Sequence, residues 1–397
     1  MRLKRHVLAL ALASSIAAPA TVWATNGYFS HGYGMKSKGM AGAATATADD
    51  TFGGASNPAK MVWVGNRMDL GAEVFSPRRD FSSTAGVAID SEDKYFLVPE
   101  FGYNRMLRPN LSLGVSVYGN GGLNTDYPNG APYFFGTGDL GVDLMQLMLA
   151  PTLAYKVNAQ HSIGISPIIA VQRFAAQGLQ AFGVMNPGYD WSWGYGARIG
   201  WMGKLNDRLT LGASYSTKIY MDEFDKYRGL FAEQGDFDIP SNWTLGTAIQ
   251  ATPQLRVALD YQRINYGDIK SINNPSQSGA PFGASNGPGF GWRDVDVWKL
   301  GIEYAYSKNL TLRAGWNHGD NPITPADVTF NILAPGVIKD HLTVGFTYTL
   351  PKGDELTMAY MHAFKESVTG NNIVIPAIRE TIKMYQNSLG IAYSWKL

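Results

Sequence analysis

The chain has 397 residues, no cysteine, and 33 Lys and Arg against 32 Asp and Glu. That balance leaves no basic field for nucleic acid, and the missing thiols exclude disulfides and thiolate metal sites. Charged residues make up only 16%, below the roughly 25% of a soluble domain, while 45 Gly, 21 Tyr and 10 Trp point to turns and aromatic surfaces.

Residues 1–24 read as a secretion signal. Arg2, Lys4 and Arg5 make a basic start, residues 7–18 an apolar core, and Val22, Trp23 and Ala24 a cleavage site. The apolar run is too short to cross a bilayer as a helix. Residues 25–65 follow, dense in Gly, Ala and Thr and without strand alternation. Tyr28, Phe29, Met35, Met40, Phe52 and Met61 are costly to leave in water, so this stretch is either a flexible exported tail or a compact piece lodged in a lumen.

Beyond residue 65, alternating stretches separated by turn signals predict fourteen strands, near 67–80, 94–106, 110–119, 142–156, 161–175, 191–204, 207–220, 241–251, 254–266, 293–306, 309–318, 340–350, 354–365 and 384–397. Several reach the length that a tilted membrane strand needs and exceed the usual soluble strand. Their connections alternate in length. "RPN", "NAQ", "ND", "TPQ", "SKN" and "PKGD" are tight, whereas 119–141, 221–240, 267–292 and 319–339 are long. Strands running up and down through a layer, elaborated at one end only, produce this asymmetry.

In "HLTVGFTYTL", Leu342, Val344, Phe346, Tyr348 and Leu350 share a face opposite His341, Thr343, Gly345, Thr347 and Thr349. A soluble sandwich also has one apolar face. Export, strand length, loop asymmetry and aromatic residues near strand ends (Trp243, Trp298, Tyr306, Trp316, Tyr393, Trp395) favour that face looking out into lipid. A sheet in lipid must close, so the last strand pairs with the first. The chain therefore reads as all-β, a 14-stranded antiparallel transmembrane β-barrel over 66–397.

The stretch "NGYFSHGYGMKSKGMAGA", the "ASNPA" of residues 55–59 and the fourteen strands together resemble the FadL family of outer-membrane long-chain fatty acid and hydrocarbon transporters. The resemblance spans essentially the whole mature chain. It implies an N-terminal hatch over 25–65 that plugs the barrel and holds the motif Asn57, Pro58 and Ala59. It also implies the bacterial outer membrane, capture of a hydrophobic molecule by an outer-loop groove, a lumen pocket, hatch movement and lateral exit beside a kinked third strand. Long-chain fatty acids are the expected substrate; aromatic or alkane hydrocarbons are the alternative, and a general porin or an outer-membrane hydrolase stands behind both. The implied partners are hydrophobic small molecules, outer-membrane lipid and lipopolysaccharide, and the barrel-assembly machinery, with the chain acting as a monomer without a cofactor. Its last residues resemble the insertion signal of such barrels, with Leu397 where Phe is commonest.

Individual residues carry narrower expectations. Pro58 fixes its own φ and biases Asn57 away from helix, while the Asn57 amide can satisfy several backbone groups. Loop 119–141 carries Leu123, Tyr127, Tyr133, Phe134, Phe135 and Leu140, either a collapsed loop core or a ligand groove. Phe224, Leu230, Phe231 and Phe237 of loop 221–240 would face them; Phe29, Phe134, Phe135, Leu230 and Phe231 are the candidate ligand contacts. Acids Asp222, Glu223, Asp225 and Asp236 are a solvated surface or an attraction for divalent ions. Inward Lys299, Arg313 and Arg256 suit a charge network with Glu303 and Asp260, or Lys299 or Arg313 binds a carboxylate headgroup. Gly119, Gly121 and Gly122 mark either a lateral opening or an ordinary loop start. No nucleophile motif accompanies the scattered histidines, so no catalytic residue and no metal ligand is assigned.

Overall fold

The computed structural model describes residues 26–397, and the expected signal lies outside them. Fourteen long strands follow one another as β1 (Arg67–Ser83), β2 (Phe96–Arg108), β3 (Leu111–Tyr127), β4 (Leu140–Lys156), β5 (His161–Gln177), β6 (Asp190–Lys204) and β7 (Leu209–Ser216). The second half comprises β8 (Asn242–Gln250), β9 (Leu255–Ile264), β10 (Val295–Ala305), β11 (Leu310–Gly319), β12 (Asp340–Thr349), β13 (Glu355–Asn371) and β14 (Arg379–Lys396). Each is antiparallel to its neighbours in chain order, and β14 returns to β1 in unbroken register from Arg67↔Lys396 to Ser83↔Glu380. Closure leaves the sheet no edge to satisfy in lipid.

Orientation follows the two-residue period. His341 and Thr343 are 0% exposed, whereas Leu342 and Val344 between and beside them are 49% exposed. The apolar rows therefore face outward all round, among them Leu70, Ile165, Ile199, Leu245, Leu300 and Leu389. A soluble sandwich would bury those rows.

Several strands run further toward the long-loop end than the sequence suggests. Local glycines bend β3 without ending it. A bulge between Gly119 and Gly121 shifts its register against β4, after which pairing continues to Tyr127↔Leu140. Leu123 and Tyr127 are therefore strand residues, not loop residues. Likewise β13 and β14 extend to Asn371 and from Arg379, while β7 is short and the separate pair Tyr220–Met221 bonds to β6.

Residues 26–65 lie inside the ring, because walls on every side bond to them. Asp260 of β9 accepts from the amides of Ala44 and Thr45 at 2.9 Å each. Asp69 of β1 accepts from Thr51 N at 2.9 Å and Thr51 Oγ1 at 2.6 Å. Glu355 of β13 pairs with Lys36 at 2.6 Å, and Glu73 of β1 pairs with Lys38. Wall residues are small where this segment touches. A Cβ on Gly200 would stand 2.0 Å from Asn57 Oδ1, and one on Gly121 only 1.6 Å from the Tyr28 carbonyl oxygen.

Candidate ligand path

At the outer end, the long connections fold over the mouth and bury their aromatics against one another. Phe134 comes from the β3–β4 connection, Leu179 and Phe182 from β5–β6, Leu230 and Phe231 from β7–β8, Phe282 and Phe290 from β9–β10, and Phe330 and Leu333 from β11–β12. With Val142 and Phe174 of the wall they enclose a cavity of about 40 Å3, against the roughly 10–15 Å3 that one water needs on this scale. Rings meet edge to face, Phe174 with Phe231 at 4.8 Å and Phe182 with Phe282 at 5.3 Å between centroids. Ser271 is the one polar side chain in the lining, and its hydroxyl is occupied by the Asp236 carbonyl. Burial, then the neighbouring Asp238, pushes the Asp236 carboxyl up to about 7. Asp238 itself pairs with Lys218 at 2.6 Å.

Of the expected contacts, Phe134, Leu230 and Phe231 line this cavity. Phe135 does not. It caps the short helical turn Ala131–Phe134 with a φ of 57°, which turns its ring out to 64% exposure. Lys299 and Arg313 are also elsewhere, wedged between wall and inner segment. Arg313 donates to Glu303 at 2.8 Å and to Thr347 at 2.6 Å, Arg256 pairs with Glu303 at 3.0 Å, and Lys299 donates to the His31 carbonyl at 3.2 Å. Asp260 accepts from Ala44 and Thr45 and stands directly opposite Lys299 on the neighbouring strand, near enough for their charges to interact. Phe174, Phe182, Phe282, Phe290 and Phe330 escaped sequence reasoning. Phe282 and Phe290 did carry a signal, as isolated large aromatics in a stretch otherwise built of Gly, Pro, Asn and Ser with little else to bury, whereas Phe174 lies within a strand.

Below the cavity the wall parts. β2 pairs with β3 only from Arg108↔Leu111 up to Phe101↔Val117. Above that point β2 keeps β1 and β3 keeps β4, but the two do not bond to each other. The connection ahead of β2 reaches β3 again where Glu92 N donates to Asp126 O at 2.8 Å. Gly119, Gly121 and Gly122 lie on the parted edge of β3, and the inner segment satisfies that edge. Phe29 bridges to Gly121, Ser30 N donates to Asn120 O at 3.0 Å, and Gly122 N donates to Tyr28 O at 3.2 Å. Higher up, the Arg79 guanidinium reaches the carbonyls of Asn124 and Asp93 across the opening. Phe29 is thus placed at the window and not in the outer cavity.

Asn57 fixes the far end of the inner segment. Its Nδ2 donates to Thr45 O at 2.8 Å and to Trp201 O of β6 at 2.9 Å, while its Oδ1 accepts from Ala59 N at 3.1 Å. It thereby caps the 3-10 helix Pro58–Trp63, whose first position suits proline because no amide is needed there. This three-way use of one amide is what an irregular segment without a sheet of its own requires.

These features define a lipid-spanning outer-membrane barrel whose bore is filled by its own N-terminal segment, with an apolar cavity above and a parted wall beside it. Residues 11–389 match the family described as outer membrane protein transport protein (OMPP1/FadL/TodX), and the chain belongs to that family. Its fold is similar to the crystal structure of the toluene transporter TodX of Pseudomonas putida, with a TM-score of 0.71 and 20% identity over 92% of this chain and 99% of that one. A Pseudomonas aeruginosa FadL homologue gives 0.72 and 16% over 93% and 99%. The Ralstonia pickettii toluene transporter TbuX gives 0.67 and 19% over 92% and 99%. At these identities the likeness is one of fold. No curated protein matches the sequence.

Proposed function

We propose that this protein passively takes up small uncharged hydrocarbons, of the size of a single aromatic ring, across the outer membrane. The observation that carries this reading is the lining of the outer cavity, which is apolar except for one engaged hydroxyl and holds no cation. A carboxylate brought there would lose its hydration without a partner. Long-chain fatty acids, the first expectation from the sequence, are thereby placed second, since Lys299 and Arg313 are already engaged with the inner segment and the wall. That solved structures of like fold include toluene transporters supports the hydrocarbon reading.

Capture needs no specific bond, because each methylene removed from water is worth about 0.8 kcal/mol. The solute then passes from the cavity toward Tyr28 and Phe29. Withdrawal of that segment from the β3 edge opens the window between β2 and β3, and the solute leaves sideways into lipid. Uptake of labelled toluene and labelled oleate into liposomes that carry the purified protein beneath a lipopolysaccharide outer leaflet, whose polar sugars hold hydrocarbons off the bilayer, tests the reading. Toluene entry above that of protein-free liposomes is expected, with oleate slower; oleate faster than toluene reverses the substrate order.

A further inference from the structure

The wall contains a second weak line, on the far side of β4 from the window. Pro151 of β4 stands directly opposite Pro167 of β5. The ladder holds at Leu149↔Ile169 and again at Leu153↔Ile165, with the same register on both sides, and no pairing is made between. A proline has no N–H to donate, and within a sheet it belongs on edges. Here both strands are central, since β4 also pairs with β3 through Val115↔Pro151 and β5 with β6 through Pro167↔Ala197. The two residues occupy the place of a pair that would exchange two backbone bonds, so the ladder lacks both. The interval between the bonded flanks is four residues, about 13 Å at roughly 3.3 Å per residue. Only side chains span it, with Thr152 Oγ1 and Ser166 Oγ 2.7 Å apart on the inner face.

Apolar surface leads up to this seam from both sides. Within the lumen, Ala150 and Ile168 beside the prolines belong to the same continuous apolar cluster as Phe134, Phe174 and Phe231 of the outer cavity. The inner segment covers them: a Cβ on Gly54 would stand 2.8 Å from the Ala150 Cβ. Outside, an apolar groove of about 560 Å3 begins at Leu153 and Ile165, the flanks of the seam, and runs on past Ile163, Ile199, Trp201 and Tyr215. Behind that groove, Gly164 and Gly200 carry Pro58 and Asn57 of the inner segment. Movement of one segment would thus uncover the seam and relax the strands that border it.

We infer that the proline seam between β4 and β5 is a second lateral exit, releasing the transported hydrocarbon from the lumen into the lipid-facing groove. It rests on the uptake proposed above. Away from this seam and the window between β2 and β3, the parting of two strands in lipid would break backbone bonds with nothing to replace them. At the seam no such bond exists to be broken.

The test uses the natural absence of cysteine. Thr152→Cys with Ser166→Cys creates a pair across the seam whose side chains already touch, so oxidation locks it. Toluene uptake into the same kind of liposome is expected to fall at least twofold on oxidation of this variant and to recover on reduction, which makes the reduced form its own folding control. Pro151→Val with Pro167→Val restores both N–H donors and is expected to slow uptake similarly without a cross-link. A wild-type rate in the oxidised variant or in the valine variant overturns the second exit. Uptake by the unmodified protein no faster than by protein-free liposomes overturns the hydrocarbon reading and the exit with it, a result distinct from the first.

Discussion

Replacement of Asn57 by alanine isolates the anchor of the inner segment. The side chain is fully buried and makes three hydrogen bonds, to Thr45 O, Trp201 O and Ala59 N. At about 1 kcal/mol net for each bond, the loss comes to about 3 kcal/mol. If it falls on local opening of residues 57–64 and not on the whole barrel, their amides should exchange with solvent about 100-fold faster, since 1.4 kcal/mol is tenfold. Hydrogen-exchange mass spectrometry of the protein in detergent would follow the peptide carrying the 3-10 helix. Strand peptides from β10 to β12, which do not touch Asn57, serve as the reference. Asn57→Asp keeps the acceptor and the shape but turns both donors into acceptors facing carbonyls, so it should be at least as damaging. Unchanged protection at 57–64 in the alanine variant, or an equal loss over the whole barrel, would refute the anchoring argument.

Three further outcomes are expected. Phe231→Ala removes an edge-to-face ring contact in the outer cavity, worth about 0.5–1.5 kcal/mol, and the toluene concentration for half-maximal uptake should rise about two- to tenfold. Glu355→Gln leaves Lys36 and Arg67 without the carboxylate they share at 2.6 and 2.8 Å; breaking a buried pair costs about 3–5 kcal/mol, so the folded band should be lost at a lower temperature on electrophoresis in SDS. For Asp236, the folded state holds the carboxyl near 7, above the unfolded value of about 3.9. A raised acid binds its extra proton between those values, so the outer loop is most stable below pH 4, loses stability as pH rises to 7, and changes no further. Amides of loop 217–241 should exchange faster across that window, after correction for intrinsic rates, and Asp236→Asn should abolish the trend.

Much of the candidate path was visible residue by residue, and little of it as an assembly. Phe134, Leu230 and Phe231 could be picked because large rings in a polar loop need something to bury against. Phe135, adjacent to Phe134, was indistinguishable from it until the backbone turned through a positive φ and sent it outward. Lys299 and Arg313 are inward by alternation, but alternation does not say which height of the lumen they occupy or which backbone meets them. Gly121 announced an irregularity, and the tertiary contact with Tyr28 shows its use: only a residue without a side chain admits another backbone so closely. Pro151 and Pro167 drew no notice in the sequence, because their opposition depends on the stagger between β4 and β5.

The amino-acid sequence by itself determined the number of strands, the face each turns to lipid, and the end that carries the long loops. Those properties are set by a two-residue period and by turn residues, both of which act over a few positions and are decided by transfer of side chains into hydrocarbon. The tertiary structure alone decided which loops share a cavity, where β2 and β3 part, and that two prolines confront each other. These depend on register and closure around fourteen strands, where partners lie tens to hundreds of residues apart and no local pattern records who meets whom.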